Sequence, residues 1–153
     1  MKGTFKITAD FLKEIGACCQ GLSAFKKAYP DGGEYQEILD RCCAEGHSNW
    51  AKWLLYKVGA TEDVRTYDEF ISDEKLDIVF AGRIEFKIGA KVRRLIAGGD
   101  IEAGCGIKAG GDIEAGRGIK AGKGIKAGWG IEAGCGIKAG DIVTGKQIGR
   151  AHD

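Results

Sequence analysis

One six-residue phrase occurs eight times between residues 95 and 142, and it constrains the fold more than any other feature of the chain. An aliphatic residue opens each repeat, an alanine stands two places later, and a glycine follows the alanine. The opening residues are Leu95, Ile101, Ile107, Ile113, Ile119, Ile125, Ile131 and Ile137. Such a short, strict period is typical of repeat architectures, in which each unit buries its apolar side against its neighbours.

Each hexad reads as a short strand followed by a corner. Side chains alternate along a strand, so positions 1 and 3 share the inner face, while position 2, always Glu or Lys from Glu102 onward, faces solvent. The glycines at position 4, and usually at position 6, are expected to turn the corner at backbone angles that other residues avoid. The pattern predicts a β-solenoid. It fits a triangular coil of three hexads and a flatter coil of two, and does not choose between them.

The first part of the chain predicts a small helical bundle. Thr8 or Asp10 is a candidate N-cap of a first helix, Ser48 or Asn49 of a fourth, and Gly59 a candidate end of that fourth helix. Four segments carry apolar residues at helical spacing: Phe11, Leu12 and Ile15; Cys18, Leu22, Phe25 and Tyr29; Tyr35, Ile38, Leu39 and Cys42; and Trp50, Trp53, Leu54 and Val58.

The fold class predicted is therefore α+β, a helical bundle followed by a hexapeptide-repeat β-solenoid. The bundle and a charged connection occupy residues 1–75, the solenoid 76–142, and a tail 143–153. The phrase Val79-Phe80-Ala81-Gly82 fits the hexad out of step, as an irregular first coil. The tail sequence from Gln147 to His152 resembles the translation of a common sequencing-adapter sequence, and we assign it no function.

Composition excludes several classes of protein. The chain has a net charge of +1 and is 44% hydrophobic, which is not typical of disorder or of a nucleic-acid-binding tail. No apolar run is long enough to span a bilayer, and the start lacks the apolar core of a signal peptide. Six cysteines without a secretory signal indicate reduced thiols in a cytoplasm.

The strongest candidate metal ligands are Cys18, Cys42, Cys43 and His47. A Cys-x3-His spacing with a cysteine from another helix is compatible with tetrahedral zinc. Adjacent cysteines on a helix point about 100° apart, however, so each Cys pair offers one good ligand. We favour the alternative, buried or partly exposed free thiols, and predict no cofactor.

No catalytic residue is predicted. Cys105 and Cys135 occupy the variable fifth position of two hexads, and no histidine in the repeats could activate them. The segment from Gly140 to Gln147 nearly matches a P-loop, but Gln147 replaces the hydroxyl that would hold magnesium. The chain is therefore expected to act by binding, not as an enzyme; an enzyme that uses bound zinc or a reactive thiol is the remaining alternative.

The candidate partner-binding residues are Trp129, Arg93, Arg94, Lys91 and Lys87. The four basic residues belong to a run that could contact nucleic acid or an acidic protein surface, and the alternative that we favour is a solvated face at a domain junction. Trp129 is either an interface anchor or a local packing cap. Position 2 of the hexads mixes lysine and glutamate, which argues against DNA mimicry, and direct nucleic-acid binding is not predicted. A second hypothesis is end-to-end self-association, because a bare repeat end near Ile142 would leave strand edges unpaired.

The segment Ala17-Cys18…Gly21-Leu22…Phe25…Tyr29-Pro30…Trp50-Ala51-Lys52-Trp53-Leu54-Leu55, followed by tandem Gly-Ile-(Glu/Lys)-Ala-Gly repeats, resembles a group of small phage and prophage proteins. The resemblance covers most of residues 5–142 and brings no catalytic residues with it. It implies a protein that binds a host complex in the bacterial cytoplasm, most specifically an inhibitor of a defence system such as CRISPR-Cas.

Overall fold

The computed structural model describes residues 5–144 and 147–152, with side chains described for residues 5–143. It has the predicted α+β architecture, in which a helical domain (residues 5–60) precedes a parallel β-solenoid of about four coils that begins at Val64. Among the described residues, no helix combines the length and the apolar character needed to cross a membrane.

The helical domain follows the predicted segments closely. Its helices are α1 (Ala9–Glu14), α2 (Cys19–Ala28), α3 (Tyr35–Ala44) and α4 (Ser48–Val58). Thr8 caps α1 as predicted, since its side chain accepts a 3.2 Å hydrogen bond from the Phe11 amide. Gly59 ends α4 at a φ of 103°, in the left-handed region that favours glycine. The sequence did not predict the short antiparallel pair of β1 (Lys6–Ile7) and β2 (Gly33–Glu34).

The solenoid strands pair in parallel throughout the described residues. They are β3 (Val64–Tyr67), β4 (Ile71–Phe80), β5 (Arg83–Phe86), β6 (Ala90–Ala97), β7 (Ile101–Ala103), β8 (Ile107–Ala109), β9 (Asp112–Ala115), β10 (Gly118–Ala121), β11 (Gly124–Ala127), β12 (Gly130–Lys138), β13 (Asp141–Thr144) and β14 (Gln147–His152). Two boundaries differ from the prediction. The charged segment 60–77 contributes β3 and most of β4, and the predicted tail contains the end of β13 and all of β14.

The strand register shows that three hexads make one coil. Ile119 pairs with Ile101 on one side and with Ile137 on the other, so stacked residues are 18 positions apart in the sequence. The flatter coil of two hexads is therefore excluded. Three flat faces result. Face 1 contains β3, β5, β7, β10 and the ends of β12 and β14. Face 2 contains the starts of β4 and β6 with β8, β11 and β13. Face 3 contains the ends of β4 and β6 with β9 and the starts of β12 and β14.

The inward positions of the hexad form the core as predicted. The residues that open the eight repeats are all buried, and so are the alanines two places after them. The explanation for the glycines was wrong, however. Within the described repeats only Gly136 has a positive φ. Except at Gly110, where a Cβ would meet nothing within 4 Å, position 4 needs glycine because the coils approach closely: a Cβ on Gly122 would lie 2.1 Å from the carbonyl oxygen of Gly104 in the coil below.

The irregular coil before Leu95 opens at Ile78, one residue before the position predicted for it. Ile78, not Val79, pairs with Leu95, so Val79 and Ile96 occupy the outward position 2 on face 3. That position is charged in the later repeats, but here both side chains are buried against the helical domain. Gln36 of α3 reinforces the contact, because its amide group donates to the carbonyl of Val79 and accepts from the amide of Ala81, at 3.0 and 2.9 Å. The lower part of face 3 thus holds the helical domain in place.

Candidate functional site

Two of the predicted partner-binding residues lie at the junction between the helical domain and the solenoid. Arg94 is buried, with 6% of its surface exposed, and its Nη1 donates to Ser48 Oγ at 3.0 Å and to Asn49 Oδ1 at 2.8 Å. Its Nη2 lies 3.4 Å from a carboxylate oxygen of Asp112. A guanidinium this buried is not available to an interface with another molecule, so the prediction of Arg94 as a partner-binding residue is not supported.

Arg93 stands next to it and is half-exposed. Its guanidinium binds the buried carboxylate of Asp77 through two nitrogens, of which Nε lies 2.6 Å from Oδ1. The hydrogen bonds to Asp77 raise the pKa of Arg93 above its ordinary value, so the group stays charged. A further bond at 3.3 Å reaches Ser48 Oγ, at the start of α4. Arg93 therefore contributes to the junction and also shows part of its side chain to solvent.

The two predicted lysines lie on or beside face 2. Lys91 occupies an outward position on β6 and forms an ion pair with Glu74 at 2.9 Å. Lys87 lies at the edge between faces 1 and 2, where its Nζ is 3.1 Å from Asp68. Both pairs are largely exposed to water, so each contributes little to stability and can exchange for another anion.

Trp129 lies at the edge between faces 2 and 3, and 65% of its surface is exposed. Its backbone amide donates to the carbonyl of Gly111 in the coil below, at 3.2 Å. The backbone under the indole is therefore fixed by the coil stack, while the indole itself projects into solvent. A packing-cap role does not account for an aromatic side chain this exposed.

The four candidate zinc ligands do not converge. Within the described residues, no group of three or more His, Cys, Asp or Glu side chains is placed to hold a metal. Cys18 caps α2, with its sulfur 3.3 Å from the amide of Gly21, and His47 stacks on Trp50 with ring centroids 3.9 Å apart. Burial raises the pKa of the Cys42 thiol to about 11 and that of Cys43 to about 12. These thiols are protonated at neutral pH.

Three of these side chains line a groove of about 530 Å³ between the four helices. Cys18, Cys42 and His47 stand among mostly apolar neighbours, including Phe25 and Trp50. The Arg41 guanidinium at the rim pairs with Glu45 at 2.9 Å and lies over the ring of Tyr29, 5.4 Å from its centroid. The volume is in the range of small-molecule sites. Sequence reasoning missed this groove, because helical periodicity does not show where four short helices fail to close on each other.

The cysteines of the repeats lie apart from each other. Cys105 is at the edge between faces 1 and 2, Cys135 is at the edge between faces 3 and 1, and both are exposed. The segment that nearly matches a P-loop falls partly outside the described residues, at Gly145 and Lys146. Lys123 stacks on Cys105 and Cys135 stacks on Arg117 through backbone hydrogen bonds of 2.6 and 2.8 Å.

Sequence reasoning also missed how the charges at position 2 divide among the faces. Face 2 carries Lys108 and Lys126, and face 3 carries Glu114 and Glu132. Face 1 changes from Glu102 in a lower coil to lysine above it. Taken together along the sequence, the position-2 residues of the hexads read as one surface of mixed charge. Sorting every third hexad together would have found the division, but that requires the number of hexads per coil.

The comparisons with known proteins bear on the helical part of the chain. Neither a curated protein nor a solved structure matches the chain significantly. Residues 1–60 match a family model described as the YdhT N-terminal domain. The match ends at Ala60, just before the first solenoid strand begins at Val64, so the similarity to the YdhT N-terminal domain covers the helical domain and stops where the repeats start.

Proposed function

We propose that this protein acts by binding another protein, with Trp129 as the anchor of the interface. The observation that supports the proposal is the exposed indole of Trp129 at the edge between faces 2 and 3, where Gly111 lies directly below it in the stack. Tryptophan is enriched among the few interface residues that supply most of the binding energy. The fold does not need an indole there, since the same hexad position holds Gly111, Arg117 and Cys135 elsewhere.

The rigidity of the edge supports the same proposal. Trp129 lies between Gly128 and Gly130, and the backbone around it is hydrogen-bonded to the coil below. An anchor whose backbone is already ordered loses less conformational entropy on binding than one carried on a mobile loop. Lys126 is on the same coil, and Lys91 and Arg93 are in coils below, so charges surround the indole as at the rim of an interface.

The finer proposal concerns the partner. We infer a host protein complex in the cytoplasm of a phage-infected bacterium, most specifically an effector of a defence system such as CRISPR-Cas, which the protein would inhibit without catalysis. The inference about the partner rests on the resemblance of the sequence to small phage and prophage proteins. The family description of the YdhT N-terminal domain states no activity and does not bear on it.

Co-purification with a panel of CRISPR effectors tests the proposal, with interference measured in cells that express the protein. We expect an effector to bind and interference to fall. Trp129→Ala should weaken binding by roughly 2 kcal/mol, or about 30-fold in Kd, without changing the melting temperature. Tyr56→Ala is the matched control, because Tyr56 is also an aromatic residue and is 84% exposed, but belongs to the helical domain. Absence of any effector complex together with normal interference would refute the inhibitor proposal. Unchanged binding by Trp129→Ala would refute the assignment of the anchor.

A further inference from the structure

The three-hexad coil collects lysines on one side of the solenoid. Lys120 and Lys138 face outward on face 1, and Lys108 and Lys126 do so on face 2. Lys123 lies at the edge between these two faces, because its amide donates to the carbonyl of Cys105 in the coil below at 2.6 Å. We call these five residues the lysine patch. Lys120, Lys123 and Lys126 follow one another on a single coil, with Lys138 above Lys120 and Lys108 below Lys126.

The side chains of the lysine patch form no salt bridges with other described residues, although Glu102 lies below Lys120 in the stack and Asp141 lies above Lys123. All five side chains are exposed, and none forms a salt bridge within the described part of the chain. Lys87 and Lys91, lower on the same side, are both paired with carboxylates. The upper half of faces 1 and 2 therefore presents lysines that no ion pair holds to another described residue.

The fold itself does not require this arrangement. Register neighbours such as Lys108 and Lys126 lie about 4.8 Å apart along the stack, and like charges directly opposite each other destabilise a sheet. The same outward position accepts glutamate, as Glu102 shows directly below Lys120. A set of in-register lysines thus weakens the solenoid slightly, while it creates a surface that attracts anions.

We propose that the lysine patch is the electrostatic part of the partner interface and that the partner presents an acidic protein surface to it. The inference rests on the proposed function, whose anchor lies at the other border of the same face: along one coil, face 2 runs from Lys123 at one edge through Lys126 to Trp129 at the next. The anchor and the charges can therefore meet one continuous partner surface. Complementary charge speeds the encounter and fixes its orientation, while the indole supplies binding energy.

The size of the lysine patch favours a protein over a nucleic acid. The patch spans three coils, about 10 Å along the solenoid axis, whereas one turn of a DNA duplex is about 34 Å long. A duplex would extend over nearby carboxylates: the exposed Asp141 stacks on Lys123, with its amide 3.0 Å from the Lys123 carbonyl, and Glu132 lies across the Trp129 edge. A group of carboxylates on a protein can match the patch without meeting these residues.

The test compares a polyglutamate of about 20 residues with an oligothymidine of the same length, by fluorescence anisotropy at low and at physiological salt. We expect the polyglutamate to bind the full-length protein more tightly than the oligothymidine does. In the triple variant Lys120→Glu, Lys123→Glu, Lys126→Glu, the Kd for the polyglutamate should rise at least tenfold. The matched control reverses the same number of exposed lysines on the helical domain, Lys13, Lys26 and Lys57, and should leave the Kd unchanged.

Two outcomes would overturn the inference. One is a polyglutamate that fails to bind, or that binds the patch variant and the control variant equally. The other is tighter binding of the oligothymidine, which would assign the lysine patch to nucleic acid. Thermal melting of each variant shows that a loss of binding is not a loss of fold. Polyglutamate binding does not depend on capture of an effector, so the inference and the proposed function can fail separately.

Discussion

A single methyl group at position 4 of a hexad provides a sharp test of the coil. In Gly122→Ala the new Cβ would lie 2.1 Å from the carbonyl oxygen of Gly104, closer than real Cβ contacts come. The obstacle is backbone, so no side chain can rotate away, and the two coils must separate by about 1 Å. Gly110→Ala makes the same change at the same hexad position on another edge, where a Cβ meets nothing within 4 Å.

The expected loss of stability in Gly122→Ala follows from the contacts that this separation disrupts. Two hydrogen bonds cross this corner, from the Gly122 amide to Ala103 at 3.1 Å and from the Lys123 amide to Cys105 at 2.6 Å. Stretching them costs about 1 kcal/mol each, and overpacking adds roughly 1–3 kcal/mol. The lower entropy of the unfolded alanine variant returns about 0.4–1 kcal/mol. We therefore expect Gly122→Ala to lower the free energy of unfolding by roughly 2–4 kcal/mol, and Gly110→Ala to raise it by up to about 1 kcal/mol.

Thermal unfolding followed by circular dichroism measures both variants. At about 2–4 °C per kcal/mol for a chain of this size, Gly122→Ala should melt roughly 4–16 °C below the unsubstituted protein, and Gly110→Ala at or slightly above it. In a coil of two hexads, Gly122 would stack on Gly110 and the two sites would be equivalent. Equal effects of the two substitutions would therefore refute the stacking of Gly122 on Gly104 and the triangular coil with it.

Two further predictions concern buried or partly buried groups. Arg94→Met keeps the aliphatic stem but removes the hydrogen bonds to Ser48 and Asn49, so it should lower the free energy of unfolding by about 2–4 kcal/mol. Amide hydrogen exchange should become faster in α4 while the upper repeats stay protected, and uniform exchange throughout the chain would contradict the role of Arg94 at the junction. Because their pKa values are raised, Cys42 and Cys43 keep their protons to a higher pH in the folded state than in the unfolded state. The stability that the two protonated thiols contribute is therefore complete below pH 9, the ordinary thiol pKa. It is lost as the pH rises through about 11 to 12. Chemical denaturation from pH 8 to 11 should show this decline. Iodoacetamide at pH 8 should modify these two partly buried thiols more slowly than the exposed Cys105, and equal rates would contradict their partial burial.

The helical domain shows how far local signals reach. Helix bounds near Thr8 and Gly59 were predicted correctly because caps and breakers act on the residues next to them. Ser48 is a residue whose role these local signals do not predict. It was a candidate cap, but it is the first residue of α4 and its hydroxyl accepts hydrogen bonds from Arg93 and Arg94, some 45 residues later in the chain. No local pattern contains that pairing, so the basic residues looked like a free surface.

The sequence by itself determined the inner face of the solenoid, because alternation along a strand depends only on the neighbouring residues and the hexad repeats it without interruption from Leu95 to Ile137. Only the tertiary structure decided which hexads stack. That choice places Gly122 over Gly104, buries Val79 and Ile96 under the helices, and separates the lysines of face 2 from the glutamates of face 3. Strand pairing joins residues 18 apart, and the period of six is the same for a coil of two hexads and for a coil of three. The charge of each face follows from the number of hexads per coil, which the repeat does not encode locally.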